Sequence, residues 1–237
     1  MRRSAFQPFP ATRASILASI RSADAPERER AFGALVDAYW HPVCAHVRAR
    51  WRASDEDASD LTQEFFARAL ERDLFAAYDP ARARFRTFVR VCLDRFLANE
   101  YAAAGAAKRG GNVVHVALDE HDPVEASAEA LDAAFHREWV RGLFALAVAD
   151  VRAWAERTGK GTPLAVFERY DLVDDDERPT YADLAAMLEI PVTTVTNALS
   201  AARRELRRAV LARLRAACAT EAEFRDEARA LLGVEVG

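Results

Sequence analysis

Residues 180–208 read TYADLAAMLEIPVTTVTNALSAARRELRR. Thr180 is a helix N-cap residue, and Asp183 three positions on completes a capping-box pattern. Leu184, Ala185 and Leu188 lay an apolar stripe on that first short helix. The turn Glu189-Ile190-Pro191 follows. Proline is excluded from a helix interior but tolerated in its first turn, so a second helix is expected to start there. Val195, Leu199, Ala202 and Leu206 have the spacing of its inner face. Thr193, Thr194, Thr196, Asn197 and Ser200 supply short polar groups near its start, and Arg203, Arg204, Arg207 and Arg208 load its later turns with positive charge. Short helix, tight turn and polar-then-basic helix is the layout of a helix-turn-helix. Its second helix enters the major groove N-terminus first, so polar side chains meet base edges and later arginines meet phosphates. An αα-hairpin with a solvated basic face would show the same pattern.

Around this stretch the chain is 237 residues long, 51% hydrophobic and 30% charged, with nine glycines and nine prolines. That composition favours helices and gives room for one large or two small cores. The net charge of −4 excludes a globally basic nucleic-acid binder, so any DNA contact must use local patches. Cys44, Cys92 and Cys218 show no CxxC spacing, which argues against a disulfide framework or zinc site and suits a reducing cytoplasm. No apolar run approaches the length of a membrane span and no signal-peptide core opens the chain, so a cytoplasmic protein without membrane insertion is expected. Nothing pairs a nucleophile with a base, cradles phosphate or spaces metal ligands; the five histidines are scattered. An enzyme is not expected, nor is a cofactor or metal.

Residues 1–25 read as a loose extension with a short helix at 12–22. Pro26 opens a helix carrying Phe32, Leu35, Val36 and Tyr39. Pro42 marks a break, after which Val43, Val47 and Trp51 continue helically. A sharper signal is SDEDASDLTQEFFARAL at 54–70. Ser54 can cap it and three acids fill its first turn. Leu61, Phe65, Phe66, Ala69 and Leu70 share an apolar arc, while Asp57, Asp60 and Glu64, with Gln63 beside them, form an acidic stripe. Like charges so close repel, so the stripe suggests a basic protein partner, against the plainer reading of a solvated face. Next, residues 81–111 carry arginines 82, 84, 86, 90 and 95 among aromatics, then Asn99, Tyr101, Lys108 and Arg109. Basic groups interleaved with rings suit single-stranded DNA, although helical spacing makes most of the rings core; Tyr101, beyond the main apolar run, is the stacking candidate. An acidic linker follows, with a short extended piece at 113–118, then a long helix over 131–157, a short one over 163–170 and a last one over 221–232.

The order basic aromatic module, acidic linker and C-terminal helix-turn-helix resembles a bacterial RNA polymerase sigma factor of the sigma-70 family, nearest the extracytoplasmic-function (ECF) subgroup. DASDLTQEFFARAL at 57–70 resembles the region 2 helix that docks on the β′ clamp coiled coil. FRTFVRVCLDRFLANEY at 85–101 resembles the segment that melts and reads the −10 element. YADLAAMLEIPVTTV at 181–195 resembles the region 4 unit that reads −35. The resemblance implies an all-α fold of two helical domains: an N-terminal extension at 1–25, region 2 at 26–111, a linker at 112–130, region 4 at 131–215, and a C-terminal helical extension at 216–237. It implies binding to core polymerase through Asp57, Asp60, Leu61, Gln63, Glu64 and Phe65, with the β flap as a second contact. It implies −10 contacts from Arg86, Arg90, Arg95, Asn99, Tyr101, Lys108 and Arg109. The −35 contacts would be Thr193, Thr194, Thr196, Asn197, Ser200, Arg203, Arg204 and Arg207. The chain departs from the family pattern, which usually has an acid at Ser59, an aliphatic residue at Thr62, asparagine at Arg95, glycine at Glu189 and arginine at Ala198. Lower charge around Ser59 and Thr62 raises the expectation that phosphorylation there by a Ser/Thr kinase strengthens docking; an anti-sigma factor is the other regulator the resemblance allows. The competing reading is a stand-alone helix-turn-helix regulator that binds a palindrome without polymerase.

Overall fold

A computed structural model describes residues 19–20, 24–110 and 126–234, with side chains left out for 104–110. Among the described residues there are eight α-helices and no strand: α1 (Ala25–Trp51), α2 (Asp55–Glu71), α3 (Phe85–Gly110), α4 (Ala128–Thr158), α5 (Gly161–Tyr170), α6 (Tyr181–Met187), α7 (Val192–Ala217) and α8 (Glu221–Leu232). A single 3-10 turn, Leu74–Ala77, sits between α2 and α3. The all-α expectation holds. The extended piece predicted at 113–118 and most of the helix predicted at 12–22 lie outside the described residues.

Local signals explain several helix ends. Ser54 accepts the Asp57 N–H at 3.1 Å at the start of α2. Ser127 accepts the Ala130 N–H at 3.2 Å, starting α4 three residues before the predicted position. Thr220 accepts the Glu223 N–H at 3.1 Å, and α8 has the predicted bounds. Gly159 and Gly233 end their helices in the left-handed region that glycine enters without a Cβ clash.

One expected boundary is absent. Pro42 does not break α1, which runs through it to Trp51. Proline removes a backbone hydrogen bond, but Pro42 is buried and the surrounding turns are held by packing on both sides. Gly142 of α4 lies against His41, where a Cβ would meet the His41 Cβ at 3.2 Å, so α4 crosses α1 closely at this point.

Three apolar clusters organise the helices. The largest buries Leu35, Tyr39, Val43 and Val47 of α1, Phe65 and Phe66 of α2, and Phe85, Val89, Leu93 and Leu97 of α3. The same cluster takes in Phe135, Trp139 and Leu143 of α4, Val210, Leu214 and Ala217 of α7, and Phe224 and Ala228 of α8. Each fully buried large side chain contributes about 1.5–3 kcal/mol of transfer free energy, so the cluster spanning both sides of the linker is the main store of stability. A small second cluster, Val166, Leu184, Val195, Ala198 and Leu199, holds α5, α6 and α7 together. A third, Val151, Phe167 and Ala202, joins α4 to that unit. Helix α7 is therefore a beam of 26 residues. Its first half belongs to the α5–α7 unit and its second half is embedded in the large core.

Candidate nucleic-acid and polymerase interface

The α6–α7 pair has the geometry its sequence predicts. Thr180 Oγ1 accepts the Asp183 N–H at 3.2 Å and the Thr180 N–H donates to Asp183 Oδ2 at 3.0 Å, closing the capping box. These bonds to Thr180 hold the Asp183 carboxyl below its ordinary pKa. Leu184 is fully buried against Val195 and Leu199. Glu189 turns the chain with a φ of +53°, and α7 starts at Val192 behind Pro191. The two helices bend by 101° at the turn, within the range of helix-turn-helix units.

Along α7, Thr193, Thr196, Asn197, Ser200, Arg204 and Arg207 are all exposed and recur at helical spacing on one stripe; Thr194 is half-buried. Ala198, standing where the family pattern has arginine, is in the core. Arg203 is exposed as well, but its guanidinium is engaged within the chain. It forms a bidentate pair with Asp171, Nε to Oδ2 at 2.8 Å and Nη2 to Oδ1 at 2.6 Å, with its guanidinium 5.7 Å from the Tyr170 ring centroid. The hydrogen bond to Asp171 raises its pKa further. Its charge ties α7 to the end of α5. Two groups that the sequence reading passed over are Met187 and Val192, 57% and 46% exposed on either side of the turn. Apolar residues beside such a turn signal hairpin packing as readily as exposure, so the pattern alone does not single them out.

On α2 the acidic stripe is real but uneven. Asp60 and Gln63 are exposed. Glu64 is half-exposed and shared with Arg68 at 2.5 Å, and Asp57 is drawn into the cap by the Ser54 hydroxyl at 2.7 Å. Leu61 and Phe65, expected to straddle core and interface, are 8% and 1% exposed, packed among Phe66, Phe96 and the rest of the large core. Neither presents a docking surface. Leu70 does the reverse: assigned to the apolar arc, it is 50% exposed, seven residues after Gln63 and so on the same face. Thr62 is wholly buried and donates its hydroxyl to the Ala58 carbonyl at 2.7 Å, which removes it as a kinase site. Ser59 is half-buried.

Helix α3 divides into two halves. Arg95 and Asn99 are exposed, four residues apart on one face. Lys108 and Arg109 belong to the last turn, and their side chains lie outside the described residues. Arg86 and Arg90 are inside the molecule, which corrects their assignment to a DNA strand. Arg90 reaches Asp132 of α4 and Asp94 at 2.7 Å, while Asp94 also holds His46 of α1 at 2.9 Å. Burial pushes the Asp94 carboxyl up, but His46, Arg90 and Arg50 together bring its pKa below the ordinary value. Arg86 and Arg84 both bond to Glu227 of α8, which is 1% exposed, and the Arg86 guanidinium lies 5.4 Å from the Trp139 ring centroid. Tyr101 also needs correction: its ring stacks on Trp51 at 4.2 Å and its hydroxyl donates to the Trp51 carbonyl at 3.3 Å, so it is not offered to a base.

Among the described residues no group of three or more His, Cys, Asp and Glu could hold a metal ion. No single described helix is long and apolar enough to cross a membrane. An open apolar groove between α4, α5 and α7 is lined by Phe144, Val148, Phe167, Leu172 and Leu206, with Arg152, Asp171 and Arg203 at its edge.

No curated protein sequence matches the chain. The family profile described as ECF sigma factor matches residues 11–163, which is 153 of the 237 residues and covers α1 to α4 and the start of α5. With most of its length matched, and with an all-α fold, the chain belongs to the ECF sigma factor family.

Proposed function

We propose that the protein joins core RNA polymerase and selects promoters by reading two elements separately. The carrying observation is the exposed polar stripe on α7, set on a capped 101° helix pair that lies beyond the matched region. Thr193, Thr196, Asn197 and Ser200 meet base edges of the −35 duplex, and Arg204 and Arg207 meet its phosphates. Val192 and Met187 add apolar contacts, for which the C5-methyl of thymine is the matching group in the major groove. Arg95 and Asn99 face the −10 strand, and Lys108 and Arg109, whose side chains lie outside the described residues, are assigned to it by the family resemblance alone. Asp60, Gln63, Glu64 and Leu70 form the surface for the β′ clamp coiled coil, with Leu70 adding apolar area to a charged contact. The groove over Phe144, Val148 and Leu172 takes the β flap. If phosphorylation tunes docking, Ser59 is the hydroxyl that serves, beside Asp60.

The test is transcription from a genomic promoter library with core polymerase and the purified chain. Specific transcripts sharing two motifs support the reading. Tight binding to a palindrome without polymerase, and no transcripts, would replace it with a stand-alone regulator.

A further inference from the structure

Arg68 stands between two surfaces that have so far been treated separately. It belongs to α2, whose exposed side carries Asp60 and Gln63, and its guanidinium reaches across to α3. Its Nη2 donates to Glu64 Oε1 at 2.5 Å, one turn earlier on α2, and its Nη1 donates to Glu100 Oε1 at 2.5 Å on α3. Acid before base at i, i+4 is the favoured order on a helix. The Phe96 ring lies under the guanidinium, its centroid 5.2 Å away, and Phe96 packs in turn on Phe65 at 5.7 Å. Arg68 therefore crosses from α2 to α3 over an aromatic floor, with a carboxylate at each end.

Glu100 gives this crossing its consequence. It follows directly on Asn99, and Arg95 and Asn99 are the exposed residues assigned to the −10 strand. Glu100 keeps 23% of its side chain exposed, so its field is not confined to the core. Consecutive residues of a helix lie within the range over which charges act at ordinary salt, about 8–10 Å. An uncompensated carboxylate at Glu100 would oppose the phosphates of a strand held at Asn99. Within α3 the residues one turn to either side of it, Phe96, Leu97, Ala103 and Ala104, carry no charge. The compensating charge comes from α2.

We infer that Arg68 masks Glu100: it is a positioning residue for −10 reading, which holds a positive charge against a carboxylate that would otherwise repel the strand. The inference rests on the assignment of Arg95 and Asn99 to that strand. A residue that only fastened α2 to α3 would be needed whatever stood at position 100. A masking residue becomes dispensable for DNA once Glu100 is neutral.

The test uses full-length chains assembled with core polymerase. The probe is a fluorescent fork-junction DNA carrying the single-stranded −10 element of a promoter selected in the transcription library. Arg68→Met keeps an apolar stem on Phe96 and removes the charge. It should weaken fork binding by the holoenzyme about two- to fivefold at low salt, a loss that shrinks as salt screens it. Arg68→Gln should show the same loss and guards against a methionine variant that fails to fold, as judged by helix content. Arg68→Lys keeps the charge and should bind like the parent. Glu100→Gln should bind at least as tightly as the parent, and Arg68→Met combined with Glu100→Gln should return to that level. Core binding, titrated separately, should not fall in Arg68→Met, because the substitution frees Glu64 for basic residues of the polymerase. Fork binding by folded Arg68→Met and Arg68→Gln equal to that of the parent overturns the masking. A loss that persists in the double variant, or that core binding shares, assigns Arg68 to fastening and overturns it as well. A parent holoenzyme that binds core but not the fork sinks the −10 assignment, and the inference with it.

Discussion

Tyr39 of α1 donates its buried hydroxyl to the carbonyl of Ala217 at 3.0 Å, across 178 residues of sequence. The Tyr39 ring also meets Phe85 edge-on at 5.6 Å, so one side chain joins α1, α3 and the end of α7. Tyr39→Phe keeps the ring and removes only the hydroxyl, leaving the Ala217 carbonyl without that donor in a dry site. The expected loss is about 1–2 kcal/mol, read as a lower midpoint in urea with an unchanged slope. No loss of stability would mean that the carbonyl finds another donor.

What was legible in the chain, and what was not, follows from where each signal comes from. Ser54, Thr180 and Thr220 announce helix starts because their partners are three residues away, and all three caps form. The inner face of α7 was legible for the same reason. Arg86 and Arg90 were misread because the carboxylates that claim them, Glu227 and Asp132, lie 141 and 42 residues downstream. A row of arginines looks alike whether it meets phosphates or buried acids. Tyr101 was misread because Trp51 covers it from another helix. Leu70 and Phe65 share one apolar arc by sequence, and only the packing of the other helices, with Phe96 of α3 against Phe65, decides which is covered.

Glu189 turns the helix-turn-helix in the left-handed region, at φ +53°. A side chain there costs about 1–2 kcal/mol, and glycine avoids that cost but adds freedom to the unfolded chain. Glu189→Gly is therefore expected to stabilise the protein by about 0.5–1 kcal/mol, while Glu189→Ala is expected to gain nothing. Thermal melts of the three proteins decide it; equal gains for glycine and alanine would assign the effect to loss of the carboxylate rather than to backbone strain.

Asp94 sits among His46, Arg50 and Arg90, and their pull brings its pKa below the ordinary value. A carboxyl lowered on folding adds stability that is present above its unfolded pKa and is lost as pH falls through the folded one. The acid limb of the stability curve should therefore steepen from about pH 4 downwards. Asp94→Asn should lower stability at neutral pH and flatten that limb. Parallel curves for the two proteins between pH 2 and 5 would remove Asp94 from the account.

On the proposed function, exposure and pairing divide the α7 residues into candidates for reading DNA and those that hold the unit together. Asn197→Ala should lose about 1–3 kcal/mol of discrimination at one base pair of the −35 element. Arg207→Ala should weaken binding to all sequences alike and reduce the salt slope by about one. Arg203→Ala should leave base preference intact and instead lower the melting temperature, because its partner Asp171 belongs to this chain. Binding of holoenzyme to promoter variants at several salt concentrations separates the three; a base-specific defect in Arg203→Ala would return that residue to the DNA interface.

Ser59 and Thr62 are three residues apart on α2, yet their environments are opposed. Thr62 is wholly buried with its hydroxyl spent on the Ala58 carbonyl, while Ser59 is half-buried beside exposed Asp60. A carboxylate placed at Thr62 would enter the large core without a partner, so Thr62→Glu should cost several kcal/mol and give a partly unfolded protein. Ser59→Glu should fold normally and add one charge to the docking stripe. If that stripe meets basic residues of the polymerase, Ser59→Glu binds core more tightly at low salt, and the gain fades as salt screens it. Leu70→Glu, on the same face, should weaken the same complex by removing apolar contact. Core binding measured for both variants at two salt concentrations is decisive: Ser59→Glu binding no better than the parent chain at either concentration would exclude charge at this position as a means of control.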